Sequence, residues 1–599
     1  MKETDFEEDI LKNEIKEIRQ DKLNDYIVID KPPEPLQENE KTKLEKKEQI
    51  LNAIKKTIFE CEEIISDGWI AYFIKERKQE EKIILSCYNF GMIVLSNFRF
   101  IFHLLAENSE YESIKEDFFK IPYLLIEEIK KEKILKNTSL IITLRDGTEL
   151  KFILSNENNN NRNLYKILKK KKLFKKTEEL FEFPKIFNSY LNKYETKFNG
   201  WEIYNFTKEF KRQGLELEDK GFPLRISNIN ENFEVSESYP KYLIEPRQIQ
   251  DNQLILAAKC RPKKRVPTLT YNYKNDLYKG QKKLISGIWR SSQVKKLVIE
   301  DKKNEDIRLI NEISNLGYKF YIFDARSPSE AFRNKIMGRG NEKVSNYNQN
   351  PRYIYCGINK VQIANDAFNK ITELTNDKEI MENKNFLSEL EDSGWVNFIM
   401  TVLRRTKEIS KLVSEGNNVL IHCSDGWDRT PQLCTISQIL LDPYFRTFEG
   451  FAILFEKDFV SFGHKFAVRS GIYDKEIEKK TNPVILQLLD CVYQLLVQFP
   501  SEFEFTSEYL LFIAKNNDIN LFGTFLFNNE REREEKHAKT ETASIWTYLL
   551  GDHFENKKKY LNPLYDKNNV TKILTPHYAY YDYVLWTDYF LRNNIYAEK

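Results

Sequence analysis

The chain has 599 residues with 93 Lys+Arg against 91 Asp+Glu, so its net charge is near zero and bulk electrostatics points to neither a nucleic-acid nor an acidic partner. Such a length provides about three or four domain-sized units and a large core. Its seven cysteines, Cys61, Cys87, Cys260, Cys356, Cys423, Cys434 and Cys491, show no Cys-x2-Cys spacing, which argues against a zinc module or disulfide framework and suits a reducing compartment.

Met1-Lys2-Glu3 opens a segment of mixed charge with no apolar secretory core. Residues 1–56 are rich in Lys, Glu and Asn around Pro32-Pro33-Glu34-Pro35, and read as a charged, mobile N-terminal arm. Ile83 to Leu105 is the most apolar stretch, but Asn89, Asn97, Arg99 and His103 interrupt it. It reads as strands around a turn at Asn89-Phe90-Gly91 rather than as a membrane span. A soluble protein is expected.

Between 57 and 183, short apolar runs alternate with turn signals. Gly91 to Leu95, Phe98 to Leu105 and Leu140 to Leu144 read as strands, and Asp146-Gly147 between two apolar runs is a hairpin signal. A helix-like stretch follows from Leu164 to Phe183, carrying Lys169, Lys170, Lys171, Lys172, Lys175 and Lys176. The expectation is a small antiparallel β barrel closed by a helix. The lysines read first as a solvated face, although they would also attract anionic lipid.

From 184 to 599 the pattern is mixed α/β. Phe320-Tyr321-Ile322-Phe323 reads as a buried strand whose C-terminal end carries Asp324-Ala325-Arg326. A second such strand, Val419-Leu420-Ile421, leads into His422-Cys423-Ser424-Asp425-Gly426-Trp427-Asp428-Arg429-Thr430. After it, Pro431, Leu433, Ile436, Leu440 and Leu441 read as a helix. A strand, a tight loop and a helix N-terminus make an anion site.

The loop also contains the parts of a phosphoryl-transfer site. A helix N-terminus and Arg429 both favour a thiolate, which makes Cys423 the candidate nucleophile. Arg429 supplies a planar fork for two phosphate oxygens, and the amides of Ser424, Asp425, Gly426 and Trp427 are placed to hold the others. Asp428 is the candidate acid and base, Asp425 a second carboxylate for positioning amides or a water, and Thr430 a hydrogen-bonding partner for the sulfur. A bare Cys-x5-Arg pair is weak support, because a cysteine after an apolar strand is more often a small buried hydrophobe. The whole string is far more specific.

That string, CSDGWDRT from Cys423 to Thr430, resembles the signature of the myotubularin family of phosphoinositide 3-phosphatases. The likeness extends from about residue 60 to 595 through Gly91 to Leu105, Ile121-Pro122-Tyr123, Asn199-Gly200-Trp201, Arg265 to Leu269, Arg290 to Gln293, Asp324-Ala325-Arg326 and Ser461 to Arg469. It implies an α/β phosphatase domain of the cysteine-dependent, tyrosine phosphatase-like type at 184–599, preceded by a PH-GRAM domain at 57–183. The implied reaction is removal of the 3-phosphate from phosphatidylinositol 3-phosphate and phosphatidylinositol 3,5-bisphosphate through a phosphocysteine, without metal or cofactor. The resemblance also implies a cytoplasmic protein at membrane surfaces, endosomal ones above all, whose partners are phosphoinositide headgroups and not nucleic acid.

Residue by residue, the family's headgroup asparagine falls on Asn334. A second falls on Lys360 in an ungapped reading and on Asn359 after a one-residue shift. A family arginine is Lys465 here, which keeps charge without the bidentate fork, and Arg469 is retained. His464, beside aromatics, reads as a packed residue. The general acid is expected within the loop, at Asp428. Few residues follow the likeness, so a C-terminal coiled coil or FYVE domain is not expected. Two other readings stay open: a catalytically silent phosphoinositide-binding adaptor and, less well supported, a protein tyrosine phosphatase.

Overall fold

In the first unit every second residue along several strands faces one shared core. A computed structural model describes residues 26–28, 48–49, 51–52, 54–55, 62–66, 68–79, 82–104, 120–134, 137–145, 148–154, 161–172, 177–193, 198–279, 282–295, 304–337, 340–376, 384–471, 482–519, 521–551 and 556–592. The chain divides into two compact units, one ending at Phe183 and the other beginning at Pro184. In the first, Trp69, Ala71 and Phe73, Phe100 and Phe102, and Leu150, Phe152 and Leu154 share one core, which follows from the two-residue period of a strand. Leu164 and Leu168, one helical turn apart on the helix Asn161–Lys172, cover it.

Strands in this unit run in the order Lys120–Pro122, Arg99–Leu104, Lys82–Leu95, Trp69–Gln79, Glu149–Leu154, Asn137–Leu144, Ile126–Ile134. These neighbours are antiparallel. Tyr26–Val28, from the expected N-terminal arm, adds in parallel against Ile83 to Leu85, and Ile54 is buried with Met92, Val94 and Ile101.

Two local expectations are corrected. The strand Lys82–Leu95 passes through Asn89-Phe90-Gly91 without turning. Its register shifts there instead, since Phe73 faces Asn89 while Ile74 faces Cys87, so the polar interruption marks a bulge. Gly91 is required by close approach, a Cβ there lying 2.5 Å from the His103 carbonyl oxygen. The lysine-rich stretch is two helices, Asn161–Lys172 and Thr177–Asn192, the second continuing past Pro184. The turn at Asp146-Gly147 and the lysines Lys175 and Lys176 lie outside the described residues.

In the second unit five strands form a mixed sheet in the order Thr268–Asn272, Gly287–Ser292, Asn418–Cys423, Phe320–Asp324, Arg352–Tyr355. The first pair is antiparallel and the rest are parallel. Asn418–Cys423 is therefore central, and Val419, Leu420 and Ile421 are wholly buried, which explains their unbroken apolar run. Helices Trp395–Ser414 and Arg429–Leu441 pack together beside it. The carboxyl ends of the parallel strands, where α/β sheets bind ligands, converge on Cys423 and Asp324. Among the described residues no helix is long and apolar enough to cross a membrane.

Candidate active site

Cys423 ends the central strand and is 3% exposed. The chain then reverses at Gly426, whose φ of +82° lies in the left-handed region. A Cβ at this position would stand 2.5 Å from the Ser291 carbonyl oxygen, so glycine is needed for both conformation and space. Its N–H donates to Cys423 Sγ at 3.2 Å. Its carbonyl accepts from Arg265 Nη2 at 3.0 Å and Arg290 Nη2 at 3.1 Å. A planar peptide tied at its oxygen by two guanidiniums turns the Trp427 N–H the opposite way. Arg290 is fixed in turn by Asp458, Nη1 to Oδ1 2.8 Å, on the π-helix Glu456–Ser461.

Arg429 opens the following helix and is 7% exposed. Glu330 grips its end, with Nη1 to Oε2 at 2.7 Å and Nη2 to Oε1 at 2.8 Å, and Nη1 also donates to the Ile358 carbonyl at 3.1 Å. Burial works against the guanidinium's charge, but the Glu330 pairing outweighs it and raises its pKa above the ordinary value. Nε is buried and without a partner, which leaves the Nε edge for an anion.

Glu330 sits in the first turn of the helix Pro328–Ile336, where Ser327 Oγ accepts its N–H at 3.2 Å. One turn on, Asn334 Nδ2 donates to Ser424 Oγ at 3.2 Å. Asn334 is thus brought to the loop. Asn359 and Lys360 follow Ile358 and are half-buried, but neither makes a hydrogen bond to the loop among the described residues.

Asp428 faces away from solvent and is paired. Arg469 reaches it through Nη2 to Oδ2 at 2.5 Å and Nε to Oδ1 at 3.0 Å, and His464 Nδ1 lies 3.4 Å from Oδ1. Burial pushes this carboxyl up, yet Arg469 and His464 prevail and hold it well below the usual carboxylate range. Its ground state is an ion-paired acceptor. His464 is 1% exposed, donates Nδ1–H to the Trp427 carbonyl at 2.8 Å, and stacks edge-on to Phe466 at 4.7 Å. Lys465 lies over the Trp427 ring at 4.2 Å, and burial together with Arg469 and Lys263 lowers its pKa. Asp425 is half-exposed, and Thr430 Oγ1 is buried without a hydrogen-bond partner.

A loop of this construction has known counterparts. The family model for the myotubularin-like phosphatase domain matches residues 183–534. Mus musculus phosphatidylinositol-3,5-bisphosphate 3-phosphatase MTMR6 is 35% identical over 463 residues, 76% of this chain and 71% of the relative. Xenopus laevis myotubularin is 31% identical over 520 residues, 84% and 80% of the two chains. Mus musculus phosphatidylinositol-3-phosphate phosphatase MTMR7 is 37% identical over 394 residues, 65% and 56% respectively.

The chain belongs to the myotubularin family.

In this member of the family the sequence disclosed the loop but not its supports. Glu330 was missed, although Ser327-Pro328-Ser329-Glu330 carries the capping spacing that starts a helix. Arg265 and Arg290 fell within segments noted only for their resemblance, and no local signal reveals that distant arginines meet one carbonyl. A myotubularin phosphatase domain of the cysteine-dependent, tyrosine phosphatase-like type, with a mixed sheet and flanking helices, covers residues 183–534.

Proposed function

We propose that the chain removes the 3-phosphate from phosphatidylinositol 3-phosphate and phosphatidylinositol 3,5-bisphosphate through a phosphocysteine intermediate. The observation that carries this reading is one loop in which Cys423 Sγ accepts from the Gly426 N–H at 3.2 Å while the neighbouring Arg429 keeps a buried, unpartnered Nε. The names of the relatives supply the lipid class.

In the proposed reaction the Cys423 thiolate attacks phosphorus and the inositol oxygen departs with a proton. Arg429 and the amides of Ser424, Asp425, Gly426 and Trp427 hold the phosphoryl oxygens. Asn334, Asn359 or Lys360, Lys465 and Arg469 serve the headgroup. Asp428 is assigned the proton, which requires Arg469 to leave it. As Arg469 turns to a headgroup phosphate, burial raises the Asp428 carboxyl towards protonation. Water then attacks the phosphocysteine and gives its proton back to Asp428, releasing phosphate and the thiolate. Asp425 is the other carboxylate able to take this role.

The same reading assigns 1–56 to a charged arm, 57–183 to a PH-GRAM domain and 184–599 to the phosphatase. The seven antiparallel strands within these bounds and their covering helix support the PH-GRAM assignment, and the division after Phe183 supports the boundary. A lipid substrate makes the site of action a membrane surface, with the cytoplasmic face of endosomes proposed. The test is phosphate release from both lipids and a phosphotyrosine peptide by the wild type and Cys423→Ser. Release from the lipids alone, abolished in Cys423→Ser with lipid binding kept, is expected, because a serine hydroxyl without a base is a poor nucleophile. Turnover surviving in that variant overturns the mechanism.

A further inference from the structure

The helix Pro328–Ile336 has two faces of opposite character. Glu330 and Asn334, spaced one turn apart, face inward, to Arg429 and Ser424 respectively. Phe332 and Ile336, one turn apart on the opposite side, are 62% and 70% exposed, and Met337 at the helix end is 70% exposed. Arg333 and Lys335 are exposed between and beside them. A further apolar side chain, Ile363, is 41% exposed at the start of the helix Val361–Asn376, directly after Asn359 and Lys360. Single apolar residues on a surface are ordinary. Three within six positions on one outward face, interleaved with cations and backed by two site-supporting side chains, are not.

We infer that this face is a bilayer-docking surface, on which Phe332, Ile336 and Met337 enter the headgroup and acyl boundary while Arg333 and Lys335 meet anionic headgroups. It rests on the lipid-phosphatase reading for its purpose, not for its geometry. Charge selects the occupant: apolar side chains flanked by Arg and Lys match an anionic lipid surface, whereas a self-associating apolar face would bring the same cations together. The inward face explains the advantage of the placement. The helix that grips Arg429 is the element that touches the membrane, so the loop is presented where a lipid headgroup emerges.

The test uses the full chain and the double variant Phe332→Ser/Ile336→Ser. Both positions are exposed and outside the catalytic machinery, so folding and chemistry stay intact. Binding is measured by co-sedimentation with phosphatidylcholine vesicles containing phosphatidylserine and no phosphoinositide. Turnover is measured on vesicle-embedded phosphatidylinositol 3-phosphate and on its short-chain analogue below the micellar concentration. Vesicle binding and vesicle turnover are expected to fall by about 10- to 100-fold, with short-chain turnover unchanged. Arg333→Glu/Lys335→Glu should weaken binding and reduce its salt dependence.

Unchanged vesicle binding in the double apolar variant overturns the inference, as does an equal loss on both substrates, which would make the face a support of the loop. A wild-type self-association abolished by the same variant would assign the face to a second copy instead. If the wild type turns over neither substrate, the phosphatase reading fails while the sedimentation result still decides the surface.

Discussion

At the scale of single residues, the Arg429 pairing bears on the proposed phosphate clamp. Glu330 occupies the end of the guanidinium and the Ile358 carbonyl takes a further N–H, so the Nε edge is the part left for substrate. Glu330→Gln removes the counter-charge and frees the fork to rotate. A loss of about 10- to 100-fold in kcat with a smaller change in KM is expected on a soluble phosphoinositide, since the clamp matters most as charge shifts in the transition state. Wild-type turnover in this variant would mean that the loop alone aims Arg429. Asp428→Asn tests the proton. Hydrolysis of the natural lipid should slow strongly and that of an aryl phosphate much less, because a phenolate leaves without an acid. A leaving-group dependence that appears in Asp425→Asn instead moves the acid to Asp425. Cys423, Arg429 and the two loop carboxylates were legible as candidates because they lie within one string. Glu330, Arg265 and Arg290 were not, because their meeting with the loop is made by the sheet and not by any local spacing.

At the scale of elements, the support of the loop passes through the π-helix Glu456–Ser461, which follows the helix Phe448–Phe455. Asp458 on it accepts from Arg290, from Thr270 Oγ1 at 2.7 Å and from Gln438 Nε2 at 2.8 Å. The adjacent Glu456 is 7% exposed and accepts from Trp546 Nε1 at 2.6 Å, and burial pushes its pKa up from 4.5 to about 7. The folded state therefore holds this proton more tightly than the unfolded chain. The contribution is fully present below about pH 4.5 and is lost as pH rises to about 7. Its size is on the order of 3 kcal/mol. Glu456→Gln should flatten that part of the Tm-against-pH profile and raise Tm relative to the wild type at neutral pH. An unaltered profile would show that Glu456 is ionised when folded. No sequence signal announced the π-helix, whereas the strand Phe320–Asp324 and the helix after the loop were legible from apolar runs and Pro431. Asn89-Phe90-Gly91 misled because the same residues serve turns and bulges, and only the partner strand distinguishes them.

At the scale of the whole molecule, every side chain assigned to the site belongs to the unit beginning at Pro184. A chain starting at Thr177, which keeps the helix Thr177–Asn192 entire, should hydrolyse an aryl phosphate with a kcat/KM within about threefold of the full chain. A larger loss would place a determinant of the chemistry in the first unit. The central position of the strand Asn418–Cys423 was not legible, because the unbroken apolar run of Val419 to Ile421 marks burial and not the strand's place in the order. That position bears on how the chain is made. The middle strand is the last of the five to leave the ribosome, so a nascent chain that has not reached Asn418 holds Gly287–Ser292 and Phe320–Asp324 each with one unpaired backbone edge. Synthesis therefore passes through a long interval in which aggregation competes with folding, and premature termination before residue 418 leaves a product fit only for capture by chaperones or proteases.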